Sequence, residues 1–193
     1  MTITGIVLAG GQSTRMGRDK GSLPFGDETL LERAVRIVGE VTDDVIVVAR
    51  PDHVSPPGIR IVHDSVEHQG PLAGIAAGLA ASTTELSVVM ACDMPLVRSS
   101  VLRRLIALCG DADICVAVVD GHASPLCAVY RSSVAGVAAQ LLADGERRVM
   151  RLLDRVQTKR VEAAVFRDLD PDLESFVSCN TPEAYAALLA RFT

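Results

Sequence analysis

Apolar residues recur along this chain in short β-branched and aliphatic runs, with helical patterns between most of them. Ile3–Ala9, Val45–Ala49, Ile59–Val62, Ser87–Cys92 and Ile114–Val119 each read as a strand. The first run is continuous rather than alternating, as expected of a strand buried on both faces of a parallel sheet. Residues 29–41 place Leu30, Leu31, Ala34, Val35, Ile37, Val38 and Val41 on one broad stripe, with Glu32, Arg33, Arg36 and Glu40 largely opposite. That pattern predicts a helix packed on the sheet. Pro51 and Ser55-Pro56-Pro57-Gly58 cannot continue a helix and read as an irregular connection. Asp120-Gly121, between Ile114–Val119 and the β-like run Pro125–Tyr130, predicts a hairpin and so an antiparallel strand. Thr181 as N-cap and Pro182 at the first helical position open a helix over Glu183 to Phe192. The alternation of strand and helix predicts an α/β fold: a single doubly wound, mainly parallel sheet with an antiparallel addition. No repeat, low-complexity tract or linker-like stretch divides the chain, so residues 1–193 are expected to form one domain.

Composition narrows the class. At 193 residues the chain can bury roughly 70% of its unfolded surface. Of its residues 49% are hydrophobic and only 3% aromatic, which suits aliphatic sheet and helix layers. A net charge of −5 argues against a nucleic-acid surface, because affinity for a phosphate backbone needs a basic face. Five cysteines, an odd number without C-x-x-C spacing, speak against a disulfide framework and a zinc site and read as reduced, mostly buried thiols. No signal-peptide pattern and no apolar run of about 18 residues is present, so a cytoplasmic protein with no membrane partner is expected.

The most informative stretch follows the first strand: Leu8-Ala9-Gly10-Gly11-Gln12-Ser13-Thr14-Arg15-Met16-Gly17-Arg18-Asp19-Lys20. Gly10 and Gly11 permit backbone angles at which amide N–H groups converge on a phosphate, and Arg15, Arg18 and Lys20 can neutralise it. It is not a Walker loop, since Gly17 is followed by Arg18-Asp19-Lys20, and it lacks the G-x-G-x-x-G spacing of a dinucleotide fingerprint. Two aspartates close strands, where ligands bind in open α/β sheets. Asp93 follows Ser87–Cys92 and precedes Met94-Pro95-Leu96; it is a hard oxygen donor suited to Mg²⁺ or simply a turn residue. Asp64 follows Ile59–Val62 and precedes Gly70-Pro71-Leu72-Ala73-Gly74, a turn opening a helix whose N-terminus favours anions. Gly145-Glu146-Arg147-Arg148-Val149-Met150 is by composition a charged helix start, and Asn180-Thr181-Pro182-Glu183 a helix cap. His53, His63, His68 and His122 show no metal or catalytic spacing and read as solvated or locally bonded.

LAGGQSTRMGRDKG resembles the N-terminal signature of nucleotidyltransferases that activate small molecules with a nucleoside triphosphate, and most of all that of the molybdenum cofactor guanylyltransferases. The resemblance implies a Rossmann-like nucleotidyltransferase fold and transfer of GMP from GTP to the phosphate of Mo-molybdopterin, releasing pyrophosphate. It implies a magnesium cofactor, and as partners the proteins that deliver molybdopterin and the apo-molybdoenzymes that receive the product. Carried over residue by residue, Leu8, Ala9, Gly10 and Gly11 hold base and phosphates, Lys20 and Arg15 contact the triphosphate, and Asp93, in Cys92-Asp93-Met94-Pro95, binds metal and nucleotide. Asp64 contacts the nucleotide, Arg148 of GERRVM the pterin substrate, and Asn180 borders that substrate. The chain departs from the family at Ser178, where relatives often have Asn, and at Val48, where some place a nucleotide-contacting Asn. Cytidylyltransferase relatives typically carry Ala-Ala-Gly where this chain has Ala9-Gly10-Gly11, so Gly10 and Gly11 favour GTP. The alternatives are a relative using CTP or another phosphorylated acceptor, and a nucleotide-binding module without turnover.

Overall fold

The computed structural model describes residues 2–9, 20–50, 56–63 and 70–191. Gly10, Gly11 and Arg15 of the opening loop, together with Asp64, His53 and His68, lie outside the described residues.

β1 (Ile3–Leu8) is buried at every position and sits inside a seven-stranded sheet. Its parallel neighbours are β4 (Asp44–Ala49) and β6 (Leu86–Ala91), and β5 (Arg60–His63) pairs parallel with β4 at the edge. On the other side β8 (His122–Arg131) runs antiparallel to both β6 and β7 (Ile114–Val119), and β9 (Thr158–Glu162) closes the sheet parallel to β7. The spatial order is β5-β4-β1-β6-β8-β7-β9, and β8 alone opposes the common direction. The mainly parallel sheet with an antiparallel addition is therefore as expected. The hairpin turn lies at Asp120 and Gly121, both with positive φ (50° and 76°), the pairing that joins twisted strands through two residues.

The expected first helix forms as α1 (Leu30–Gly39), beginning with its apolar stripe at Leu30 and ending two residues before Val41. Thr29 caps it and Glu32 returns the bond to the Thr29 N–H, a reciprocal capping box. α1 and α3 (Ser99–Cys109) cover one face of the sheet. α2 (Gly70–Ala81), α4 (Val134–Ala143) and α5 (Val149–Arg155) cover the other. α2 is apolar almost all round because it lies between the sheet and α4. The predicted last helix is α6 (Pro182–Leu189), with Thr181 Oγ1 accepting from the Ala184 N–H at 3.1 Å.

Two glycines let helices approach β1 from opposite faces. A Cβ on Gly5 would stand 2.2 Å from Val38 Cγ1 of α1, and one on Gly78 would stand 2.5 Å from Ile6 Cγ2. A small hairpin missed in the sequence, β2 (Pro24–Phe25) and β3 (Glu28–Thr29), carries Phe25 into a third apolar cluster with Leu30, Cys179 and Leu188. Leu23, Leu96, Tyr185 and Leu189 pack around it. This cluster joins the chain after Lys20, the loop after Asp93 and α6. Among the described residues no helix is long and apolar enough to cross a membrane.

All five cysteines are free and buried, and burial pushes Cys115 up to about 11 and Cys127 to about 12. A thiol-exchange assay with an aromatic disulfide at neutral pH should find almost no reactive thiol in the native protein and all five after unfolding. Gly78→Ala should destabilise the fold by about 1–3 kcal/mol in urea denaturation, because Ile6 and α2 must move apart. Gly136→Ala, on α4 with nothing within 4 Å of the new methyl, should instead stabilise by about 0.4–1 kcal/mol.

Candidate active site

At the carboxyl ends of β1 and β6 the sheet closes through the backbone. Cys92 N donates to Leu8 O at 3.1 Å and Ala9 N to Val48 O at 2.9 Å. These peptide groups are engaged in the sheet, and Gly10 and Gly11, which follow, lie outside the described residues. The Leu8 side chain is buried against Gly74 of α2. Val48 is likewise buried, its methyls beside Gly74 and Gly78. Position 48 therefore faces the α2 core in this chain, which fits a valine and would leave an Asn amide unpaired.

β6 ends at Ala91, and Asp93 stands in the turn that follows. Successive turns, Met94 N to Ala91 O and Val97 N to Met94 O, both 3.3 Å, wind the chain away while Met94 and Val97 insert into the core. Asp93 is held in place through its own carbonyl: Cys179 N donates to it at 2.8 Å and Cys179 Sγ at 3.2 Å. Burial and the neighbouring Asp93 carboxylate push the Cys179 thiol up to about 11, so it stays a donor.

Lys20 opens a single 3₁₀ turn, Lys20–Ser22, fastened when Leu23 N donates to Lys20 O at 3.1 Å. Its ammonium crosses to the β6 turn, 3.1 Å from Asp93 Oδ2 and 2.8 Å from Asn180 Oδ1. The Lys20 and Asp93 side chains are only 20% and 15% exposed, a pair partly shielded from water. Since an ammonium only donates, the oxygen of the Asn180 amide faces Lys20 and its Nδ2 donates to Ser178 Oγ at 2.7 Å. Three residues named from the sequence thus converge, although 73 and 160 positions separate Lys20 from its two partners.

Arg148 is placed elsewhere. It precedes α5 in extended conformation, and its guanidinium is held by Glu146 at 2.9 and 2.8 Å. The segment borders the start of α2, since a Cβ on Gly70 would be 3.8 Å from Arg147 O. Gly70-Pro71 forms the first turn of that helix, with Gly70 at φ +72°. Of the histidines, His122 is exposed and bonds locally to Asp120 O at 2.8 Å, and His63 ends β5 in an exposed position.

Sequence reasoning missed the anchors. Cys179 was expected only as a buried thiol, and Ser178 entered only as a departure from the family. Their signal was sequence adjacency to Asn180, which says nothing about a contact 86 residues away. Arg33 was also missed: its Nε donates to Pro95 O at 2.6 Å, Nη1 bonds Glu28 Oε1 at 2.9 Å, and its guanidinium lies 5.1 Å over the Phe25 ring. It braces the loop after Asp93 from α1. Among the described residues no three His, Cys, Asp or Glu side chains gather as metal ligands. The donors at the site are oxygens: one carboxylate and one amide oxygen directed at a single cation, Lys20 Nζ. That chemistry fits a hard cation of the magnesium kind, which takes one or two carboxylates and completes its shell with phosphate oxygens and water.

The family model that matches is the MobA-like NTP transferase domain, over residues 5–162. A relative from Carboxydothermus hydrogenoformans named "Probable molybdenum cofactor guanylyltransferase" is 30% identical, over 99% of this chain and 97% of its own length. Among solved structures, molybdopterin-guanine dinucleotide biosynthesis protein A from Archaeoglobus fulgidus superimposes with a TM-score of 0.84, covers 98% of each chain and is 24% identical. The Rv0371c protein of Mycobacterium tuberculosis, crystallised as a complex with manganese, has a TM-score of 0.72 at 23% identity, covering 98% of this chain and 99% of its own. Both share the layered fold described above. The match across most of its length shows that the chain belongs to the MobA-like NTP transferase family of nucleotidyltransferases.

Proposed function

We propose that this protein transfers GMP from GTP to the phosphate of Mo-molybdopterin, forming the guanine dinucleotide cofactor and releasing pyrophosphate. Residues 1–193 act in this reading as one catalytic domain. The observation that carries it is the convergence of Lys20, Asp93 and Asn180 at the carboxyl ends of β1 and β6, where an α/β sheet binds ligands. The relatives' names and the GERRVM segment support the acceptor.

Phosphoryl transfer asks little covalent chemistry of a protein; positioning and charge neutralisation dominate. Lys20, only 20% exposed and steered by Asp93 and Asn180, would move its ammonium onto the triphosphate, with Arg15 beside it. Gly10 and Gly11 would offer backbone N–H groups to the phosphates, and Asp64 would contact the nucleotide. Asp93, its carbonyl fixed by Cys179, would hold Mg²⁺, which supplies Lewis-acid stabilisation of the charge on the phosphoryl oxygens when bound. Arg148 would take the phosphate of the acceptor, and Asn180, oriented by Ser178, would border it. An acceptor phosphate is already ionised at neutral pH, so its attack on the α-phosphorus needs no general base.

Pyrophosphate release measured with each of the four nucleoside triphosphates, with and without molybdopterin, tests this directly. GTP-specific, pterin-dependent release is the expected outcome. CTP-dependent release would assign the other nucleotide, and release independent of pterin would assign another acceptor. Absence of turnover with all four, in a protein that binds GTP, would mark a binding module. Asp93→Ala and Lys20→Ala should each lower turnover about 100-fold or more while keeping a cooperative unfolding transition. Near-normal Mg²⁺-dependent release in Asp93→Ala would overturn the metal assignment.

A further inference from the structure

The Glu146 carboxylate receives a set of hydrogen bonds that the proposed reaction does not use. Oε1 accepts from Arg147 N at 2.9 Å, Arg148 N at 3.0 Å and Arg148 Nε at 2.9 Å, and Oε2 accepts from Arg148 Nη2 at 2.8 Å. Arg151 Nε adds an ion pair at 3.6 Å. The two Arg148 bonds are the parallel fork of a bidentate carboxylate–guanidinium pair, the geometry that fixes the guanidinium plane as well as its position. The partners differ in exposure: the Glu146 side chain is 20% exposed and that of Arg148 68%. Glu146 therefore lies beneath and Arg148 faces outward. The same contacts, the Arg148 side chain first and the backbone N–H groups after it, hold the Glu146 carboxyl down to about 2, so it stays charged throughout the working range.

A guanidinium has two edges that can fork onto an anion. Glu146 takes the Nε–Nη2 edge, and among the described residues Nη1 has no hydrogen-bond partner. The remaining Nη1–Nη2 edge faces away from Glu146. The backbone beneath is anchored as well: Val149, Leu152 and Leu153 are buried in the second core, and Arg147 O borders Gly70 at the start of α2. We propose that Glu146 is the positioning residue for Arg148, holding the guanidinium so that its open edge is presented to a phosphate of the acceptor. This rests on the reading of Arg148 as the acceptor-phosphate residue.

The test is a double-mutant cycle on the Michaelis constants, with GTP and molybdopterin varied separately. Arg148→Ala should raise KM for molybdopterin about 10- to 100-fold, the loss of a charge-assisted bond, and leave KM for GTP unchanged. Glu146→Ala should raise KM for molybdopterin about three- to tenfold, the loss of one pre-ordered side chain, and again spare GTP. In the Arg148→Ala background Glu146→Ala should add less than twofold, since a positioning residue has nothing left to position. Glu146→Gln, which keeps an oxygen for the backbone N–H groups, should fall between wild type and Glu146→Ala, and it serves if the alanine variant folds poorly. An equal effect of Glu146→Ala in both backgrounds would assign it a purely structural role. Tighter molybdopterin binding in Glu146→Ala would show that the carboxylate competes with the acceptor, and either result overturns the proposal. If Arg148→Ala leaves KM for molybdopterin unchanged, the acceptor assignment itself fails, an outcome distinct from both.

Discussion

One carbonyl oxygen, that of Asp93, ties the far end of the chain to the end of β6, and the site depends on it. Cys179 gives it two donors, N–H at 2.8 Å and thiol at 3.2 Å, and Asn180 is the next residue. The position of Asn180 Oδ1 relative to Asp93 is thus set through a single peptide. The third apolar cluster supports the same joint, because Cys179 packs there with Phe25, Leu30 and Leu188, with Leu96 from the Asp93 loop at its margin. Lys20 precedes Phe25 by five positions and enters the site on the same support. The seven-stranded sheet supplies the strand end, and this small cluster supplies the convergence.

The sheet itself was legible because its strands are buried on both faces and write themselves as unbroken apolar runs. β1, β4, β6 and β7 were placed within a residue or so, as was the turn at Asp120 and Gly121, where positive φ selects the residue types. β9 was not, since Thr158–Glu162 is an edge strand exposed at all but one or two positions and reads as a charged stretch. β2 and β3 are two residues each, below the length at which periodicity exists. The start of α1 coincides with its apolar stripe because Thr29 caps it there, while its end falls two residues short of Val41.

The site divides along the same physical line. Lys20 and Asp93 stood out in the sequence as candidate chemistry, and Asp93 also through topology, because a residue that closes a parallel strand faces the ligand side; Asn180 read as part of a helix cap and entered only through the family resemblance. What remained hidden was everything that acts at a distance. A buried cysteine, a serine and an arginine on the polar side of a helix have no pattern in sequence that says which loop they hold. Glu146 was hidden for the opposite reason: its partners lie one and two residues away, inside a run of charges that composition alone reads as a solvated helix start.

The two ion pairs at the proposed substrate contacts differ in what they do: the Lys20 pair is partly shielded, whereas the Arg148 side chain is 68% exposed and its pair fixes the guanidinium plane. A cation placed to receive phosphate in a partly shielded site needs a counter-charge before substrate arrives, or the fold carries an unpaired charge away from water. Lys20 has that counter-charge in Asp93 Oδ2 and a further acceptor in Asn180 Oδ1, both residues of the proposed reacting centre. In the proposed reaction those partners would be exchanged as nucleotide and metal bind, and the two events would be coupled: a triphosphate that draws Lys20 away would free the Asp93 carboxylate for a hard cation. Arg148 has its counter-charge in Glu146, on the Nε–Nη2 edge of the guanidinium, and in the proposed reading would keep that partner while the outer edge binds. Exchange suits a lysine, a compact charge on a flexible stem; retention suits an arginine, whose planar fork can serve two anions at once.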